Sequence, residues 1–240
     1  MKTYKHIFEE LLKEENITQC FHDAAKRKTT RPEVARVLKE EREVGNDRPE
    51  PQCLQEHVKA LQKMLEEETY QPPEHKKMLI NEYSCGKVRE IIKPEFQYEQ
   101  VVHHCIIKQL QPIVLHGLYE HALGSIPNRG CHSGKKQVEK WIKAYKGKKF
   151  YILKADVRHC FDTEDIRVIE TKMKRVIKDE RFVRLCSTVM EHEATMKPPE
   201  FDREWIEDEQ WKDTEFLSGL PLGFVTSQWF TQLNYKELDH

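Results

Sequence analysis

The sequence predicts an α+β fold in which a block of helices precedes a β-hairpin and a mixed second half. Three observations carry that expectation. Apolar residues recur at helical spacing through the first seventy positions. Two short strand-like runs joined by a Gly-containing loop follow, and a single run of strand formers, Phe150 to Leu153, turns polar at Asp156 before a new helix begins.

Taken in order, Tyr4 to Glu15 carries Ile7, Phe8, Leu11 and Leu12 on one helical face. Pro32 suits a first helical turn, and Val34, Val37 and Leu38 continue that stripe. After a break at Gly45 to Pro51, the residues Leu54, Val58, Leu61, Met64 and Leu65 mark another helix. Lys76 to Glu82 and Lys87 to Lys93 form the hairpin, which places Lys87 and Arg89 on the same strand face. Glu95 to Leu115 is expected as one long helix with Val101, Val102, Ile106, Leu110 and Ile113 inward. The stretch Leu123 to Lys136 is rich in turn formers and carries Arg129, Lys135 and Lys136, yet has neither a P-loop nor a dinucleotide glycine pattern. Gln137 to Tyr145 is expected to be helical.

Phe150 to Thr163 is the stretch around which the second half is organised. A carboxylate at the carboxyl end of a buried strand is where mixed folds commonly put ligand chemistry, which singles out Asp156. Helices are expected from Glu164 to Ile177 and from Glu180 to Glu191. An acidic loop or hairpin from Pro198 to Glu215 then leads to Phe216–His240, where Gly219, Pro221 and Gly223 demand a tight turn before a last helix.

Composition narrows the classes. At 240 residues, 38% hydrophobic and 34% charged, the chain suits a polar globular protein, and it has no apolar run of membrane-spanning length. A cytoplasmic location is expected. Seven scattered cysteines, never in a C-x-x-C pair, argue against a disulfide framework or a zinc knuckle. The net charge of −1 hides an asymmetry: fifteen Lys or Arg against seven Asp or Glu between Pro72 and Lys154, and eight acids against two bases between Glu200 and Glu215. A polyanion is attracted to one side of such a surface and repelled from the other.

Four blocks in order resemble the reverse transcriptase family. KVREIIKPEFQYEQVVHH resembles its fingers hairpin and following helix, GSIPNRGCHSGKK its second fingers block, LKADVRHCFDT its first palm motif, and SGLPLGFVTSQWF its Gly-rich motif. LGFVTSQ resembles the L-G-x-x-x-S-Q form of diversity-generating retroelement enzymes more than the Q-G-x-x-x-S-P form of retroviruses, retrons and group II introns. An Asn often follows the second glycine in these relatives, where this chain has Phe224.

The resemblance implies a right-hand polymerase. Residues 1–71 would be an N-terminal helical region, 72–148 the fingers and 149–240 a partial palm, with the thumb absent. Asp156 would be the catalytic carboxylate and, with the Val157 carbonyl, a ligand of Mg²⁺. Lys87 and Arg89 would clamp the triphosphate, and Phe161 would stack under the incoming sugar. The Gly219–Gln228 turn, through Gly223 and Gln228, would line the nucleotide, while Arg129 and Ser227 would meet the template. The partners implied are an RNA template, a DNA primer and deoxynucleoside triphosphates, with no membrane.

Two-metal phosphoryl transfer needs carboxylates that bridge ions roughly 3.5–4 Å apart. The family's second site, an aromatic-x-Asp-Asp hairpin, has no counterpart here, because the sequence contains no Asp-Asp dipeptide. Asp162, Asp165 and Asp239 are the possible surrogates. The expectation is an N-terminal portion with little activity alone, marginally stable or associated with a completing chain, or with the small basic accessory protein of diversity-generating systems. The alternative is a non-catalytic nucleic-acid-binding remnant.

Overall fold

The computed structural model describes residues 2–41, 49–82, 86–157, 159–192, 194 and 217–239. Its element order is α1 (Ile7–Leu12), α2 (Glu14–Ala25), α3 (Pro32–Val37), α4 (Leu54–Glu66), β1 (Lys77–Glu82), β2 (Lys87–Ile92), α5 (Val101–Leu115), α6 (Cys131–Ala144), α7 (Cys160–Thr163), α8 (Ile166–Val176), α9 (Glu180–Glu191) and α10 (Val225–Tyr235). The α+β expectation holds at this level: helices dominate and one small antiparallel sheet accompanies them.

One apolar core forms because several helices each carry a stripe and bury it against α5. Helix α5 is apolar on most of its circumference, with Val101, Val102, Cys105, Ile106, Leu110 and Val114 buried. It packs against α2 on one side and α10 on the other, and α10 in turn meets α8, which packs on α9. The fully buried Phe21, Phe182 and Phe230 come from α2, α9 and α10, so residues from both ends of the chain share this core. Asp179 caps α9 by accepting from the Phe182 N–H (3.2 Å) and also accepts from the Phe8 N–H (2.8 Å), which ties α1 to the start of α9.

The hairpin forms in the expected place. Its register pairs Lys77 with Ile92, Ile80 with Arg89 and Glu82 with Lys87. Most of it projects from the body, with Leu79, Val88 and Ile80 exposed. Only its last residues, Ile91 and Ile92, turn inward.

Three expectations differ from what is found. The long helix from Glu95 is interrupted, because Phe96–Gln100 forms a single wide turn and α5 begins at Val101. The Glu99 carboxylate accepts the Glu95 N–H (2.7 Å), and Tyr98 takes φ 67° and ψ −51°, which no continuous helix permits. Helix α6 starts at Cys131 rather than Gln137. Gly134 allows this, since a β-carbon there would lie 2.6 Å from the Leu123 side chain.

The third difference is the largest. Residues 150–157 have no regular secondary structure and form no ladder, and among the described residues the only sheet is β1–β2. A strand gains its hydrogen bonds only from a partner, and among the described residues none pairs with this stretch. Tyr151 and Leu153 are 98% and 91% exposed, and Phe150 and Ile152 are exposed too. Helix α6 next to this stretch buries no residue, leaving Val138, Trp141 and Ile142 open. The acidic stretch from Pro198 to Glu215 lies outside the described residues.

Candidate functional site

The site is a junction of three segments far apart in the chain, built around two glycines. Gly223 has φ +116°, and a β-carbon on it would lie 2.0 Å from the Ile92 carbonyl oxygen. Only glycine satisfies both the backbone angle and the approach. The Ile92 N–H donates to the Leu222 carbonyl (2.8 Å), so the end of β2 is bonded to the turn. On its other side the turn meets the segment that follows Asp156. The Leu220 N–H donates to the Phe161 carbonyl (2.7 Å), the Gly219 N–H to the Glu164 carbonyl (3.1 Å) and the Ile166 N–H to the Leu217 carbonyl (3.1 Å). Gly219, at φ +103°, again takes a conformation that glycine adopts freely. The Ser227 hydroxyl closes the turn from inside by donating to the Pro221 carbonyl (2.8 Å).

The residues singled out by the sequence distribute unevenly around this junction. Phe161 is half-buried against the core with its carbonyl bonded to the turn. Gly223 and Gln228 are exposed, while Ser227 is buried. Asp156 is exposed on the unpaired 150–157 stretch, near enough to Cys160 for its charge to help raise that thiol's pKa, whose first cause is burial. Val157 is exposed beside it. Lys87 and Arg89 sit outward on β2, five and three residues before Ile92, hence roughly 16 and 10 Å along the strand from the turn. Arg129 donates from Nη1 to the Tyr119 and Ala122 carbonyls (3.0 and 3.2 Å), bracing the loop ahead of α6.

Two features escaped the sequence reading. The first is Glu164, expected only as an acid in a helix's first turn. Its side chain is buried at 1% exposure, accepts from Asn234 Nδ2 on α10 and receives a weak Cys160 Sγ bond (3.8 Å). Burial raises its carboxyl pKa, and the Asn234 hydrogen bond opposes the rise. Its charge in turn helps burial to raise the Tyr235 phenol. A buried carboxylate thus lies behind the Asp156 loop.

The second is an inner pair of imidazoles under the turn. His75 Nε2 lies 2.5 Å from Glu99 Oε1, both side chains being buried, and His103 Nδ1 lies 2.8 Å from Thr226 Oγ1. Phe224 does not face outward; its ring packs on His103 (4.5 Å between centroids) and His75 (5.2 Å). Burial lowers the His103 pKa, against the pull of Glu99. Of the adjacent His103 and His104, the first is buried and the second half-buried. No sequence spacing announces the His75–Glu99 contact, which spans the hairpin.

Among the described residues, no group of three His, Cys, Asp or Glu side chains is placed to hold a metal ion. Asp165, one possible surrogate ligand, is occupied in capping α8 through the Arg167 N–H (2.9 Å) and in pairing with the Arg167 guanidinium (3.1 Å). Asp162 is exposed and lies 3.4 Å from His159. The Asp156 carboxylate and Val157 carbonyl offer oxygen donors of the kind Mg²⁺ takes, but a bridged pair of ions needs a further carboxylate that the described residues do not bring there. No helix among the described residues is long and apolar enough to cross a membrane.

No family model matches the chain. Over 190 residues it is 22% identical to the group II intron-encoded protein LtrA of Lactococcus lactis subsp. cremoris, and the same match is found in strain MG1363. The match covers 77% of this chain and 28% of LtrA, so the chain spans less than a third of the relative it resembles.

Proposed function

We propose that the chain is the N-terminal portion of a reverse transcriptase, carrying fingers and part of the palm, and that it is incomplete as a catalyst by itself. The observation that carries this reading is the junction. Three of the four blocks that resemble the family meet through backbone hydrogen bonds at Ile92–Leu222, Phe161–Leu220 and Glu164–Gly219. They are separated by some seventy and sixty residues of sequence, and nothing but a shared fold requires them to converge. The likeness to a group II intron-encoded protein over most of this chain adds independent support.

In this reading the template is RNA, the primer DNA, and the reaction a nucleotidyl transfer from a deoxynucleoside triphosphate. Mg²⁺, when bound, would stabilise the attacking and leaving oxygens, with Asp156 and the Val157 carbonyl as its ligands from this chain. Lys87 and Arg89 would neutralise triphosphate, and Phe161 would discriminate at the sugar. Gly223 and Gln228 would line the nucleotide, with Arg129 and Ser227 on the template side. The exposed Tyr151, Ile152 and Leu153 support the view that a further strand, in a completing segment or chain, pairs with this stretch and brings the second carboxylate. The L-G-x-x-x-S-Q form favours a diversity-generating enzyme with a basic accessory protein.

The second reading, a non-catalytic nucleic-acid-binding remnant, is favoured by the finding that the described residues gather no group of three ligating side chains. Primer extension with Mg²⁺ and deoxynucleotides separates the two. Incorporation that Asp156→Asn abolishes supports the polymerase. RNA binding without incorporation, indifferent to Asp156→Asn but weakened by Lys87→Ala and Arg129→Ala, supports the remnant. Neither binding nor incorporation sinks both.

A further inference from the structure

A cavity of about 640 Å³ opens one residue beyond Ile92, between α3 and the wide turn that precedes α5. Its wall carries four cations, Lys28, Arg31, Arg36 and Lys93, together with the aromatic rings of Phe96 and Tyr98. Glu33, Glu50 and Glu95 also line it, so the summed charge is modest and a diffuse polyanion field is not the argument. What matters is how these groups are arranged. Among the described residues, Arg31, Arg36 and Lys93 form no ion pair within 4 Å, although three carboxylates share the cavity with them.

Tyr98 is the second observation. It holds φ 67° without being glycine, a strain that persists only where surroundings enforce it and that collects at binding sites. Its hydroxyl lies 3.1 Å from the buried His57 Nδ1, which fixes the ring against the cavity wall. Lys28 is the third. Its ammonium donates to Gln100 Oε1 (2.5 Å) while burial, and then the Arg31 charge, hold its pKa below the ordinary lysine value. An anion between Lys28 and Arg31 relieves that repulsion.

Separate cations, separate carboxylates and an aromatic face in one half-open cavity match the three parts of a ribonucleotide. The phosphate takes the cations, a sugar hydroxyl donates to a carboxylate, and the base lies on a ring. The volume suits a ligand of that size. We propose that this cavity is a ribonucleotide-binding site, with Lys28, Arg31 and Arg36 on the phosphate and Tyr98 under the base, distinct from the Asp156 junction. It does not require the chain to polymerise.

The test is fluorescence anisotropy of the full chain with a labelled uridine ten-mer RNA, the matching DNA, and unlabelled UMP as competitor. The paired change Arg31→Ala with Arg36→Ala is expected to weaken RNA binding at least tenfold near 0.1 M salt. It should also flatten the log–log salt slope by about 1.4, two contacts at about 0.7 each on a single strand. Tyr98→Gly is expected to weaken binding about tenfold and also to lower the melting temperature, because it removes the hydroxyl bonded to buried His57 and a ring packed on the core. Tyr98→Phe, which keeps the ring, is expected to bind within twofold of the parent chain. The control pair Lys174→Ala with Arg175→Ala, exposed on α8 and outside the basic 72–154 stretch, stays within twofold.

RNA favoured over DNA supports the sugar contact. UMP that competes fully identifies a free nucleotide as the ligand, and competition only by the oligomer identifies a strand; both support the site. Binding indifferent to the cavity variants, equal loss from the α8 control, equal affinity for RNA and DNA, or no binding of RNA or UMP overturns it. Failed primer extension with intact cavity binding defeats only the polymerase reading.

Discussion

Gly223→Ala tests the junction most directly, because the structure allows its cost to be built from parts. The new methyl group would sit 2.0 Å from the Ile92 carbonyl oxygen and 3.1 Å from the carbonyl carbon, both backbone atoms with no rotamer to escape into. Either the Ile92–Leu222 hydrogen bond opens or the turn shifts. Losing that bond costs about 1 kcal/mol. Forcing alanine to a φ of +116° adds on the order of 1–3 kcal/mol. The sum is about 2–4 kcal/mol, a large part of a domain's usual margin of roughly 5–15 kcal/mol. With a urea slope of about 2–3 kcal/mol per M, the unfolding midpoint should fall by roughly 1 M. Gly86→Ala is the internal standard. It shares positive φ (+67°) but has no atom within 4 Å of the would-be methyl, so it carries strain alone, about 1 kcal/mol. Urea melts followed by circular dichroism compare the two. Equal midpoints for both variants would refute the close contact between Ile92 and the turn, and with it the junction.

Two further expectations follow from the same region. Glu164 has a folded pKa raised above its ordinary 4.5, so the folded state binds the proton more tightly than the unfolded chain. Its contribution favours folding below 4.5 and turns unfavourable as pH rises from 4.5 through the raised folded value. Glu164→Gln should flatten the stability–pH curve in that window, read from thermal melts between pH 4 and 8, and an unchanged curve would refute the buried placement. Ile152→Ser with Leu153→Ser should change unfolding free energy by no more than about 0.5 kcal/mol, because both side chains stand in solvent. A loss of several kcal/mol in urea melts would mean that the stretch is packed in the isolated chain.

Helices and the hairpin were legible because their signal is local. Apolar stripes at Ile7–Leu12, Leu54–Glu66 and Glu180–Glu191 are written within single turns, and the Gly86 loop marks the hairpin. The strand expected at Phe150–Leu153 was misread for the opposite reason. Its residues have the right propensity, but a strand is a property of two segments, and among the described residues no second one pairs with it. The turn glycines were visible as punctuation, whereas their necessity comes from Ile92, more than a hundred residues away. Glu164, His75 and His103 stayed hidden because burial of a polar group depends on partners such as Asn234 and Thr226 that no spacing rule links to them. The break at Tyr98 had no local sign either, since a buried carboxylate, not a proline, ends the regular backbone there.

The peptide at Ile92 is shared by two parts of the molecule. Its nitrogen holds Leu222, and its oxygen fills the space a side chain would need at Gly223. The hairpin beyond it stands largely free of the body, and its two strands rejoin the body at Ile92 and beside His75, whose ring meets Phe224 (5.2 Å between centroids). A ligand that draws the hairpin down must therefore reposition the turn at once, and a ligand seated on the turn must restrict the hairpin's swing. Occupancy at either end is coupled to the other through the Ile92 amide and the His75–Phe224 ring contact.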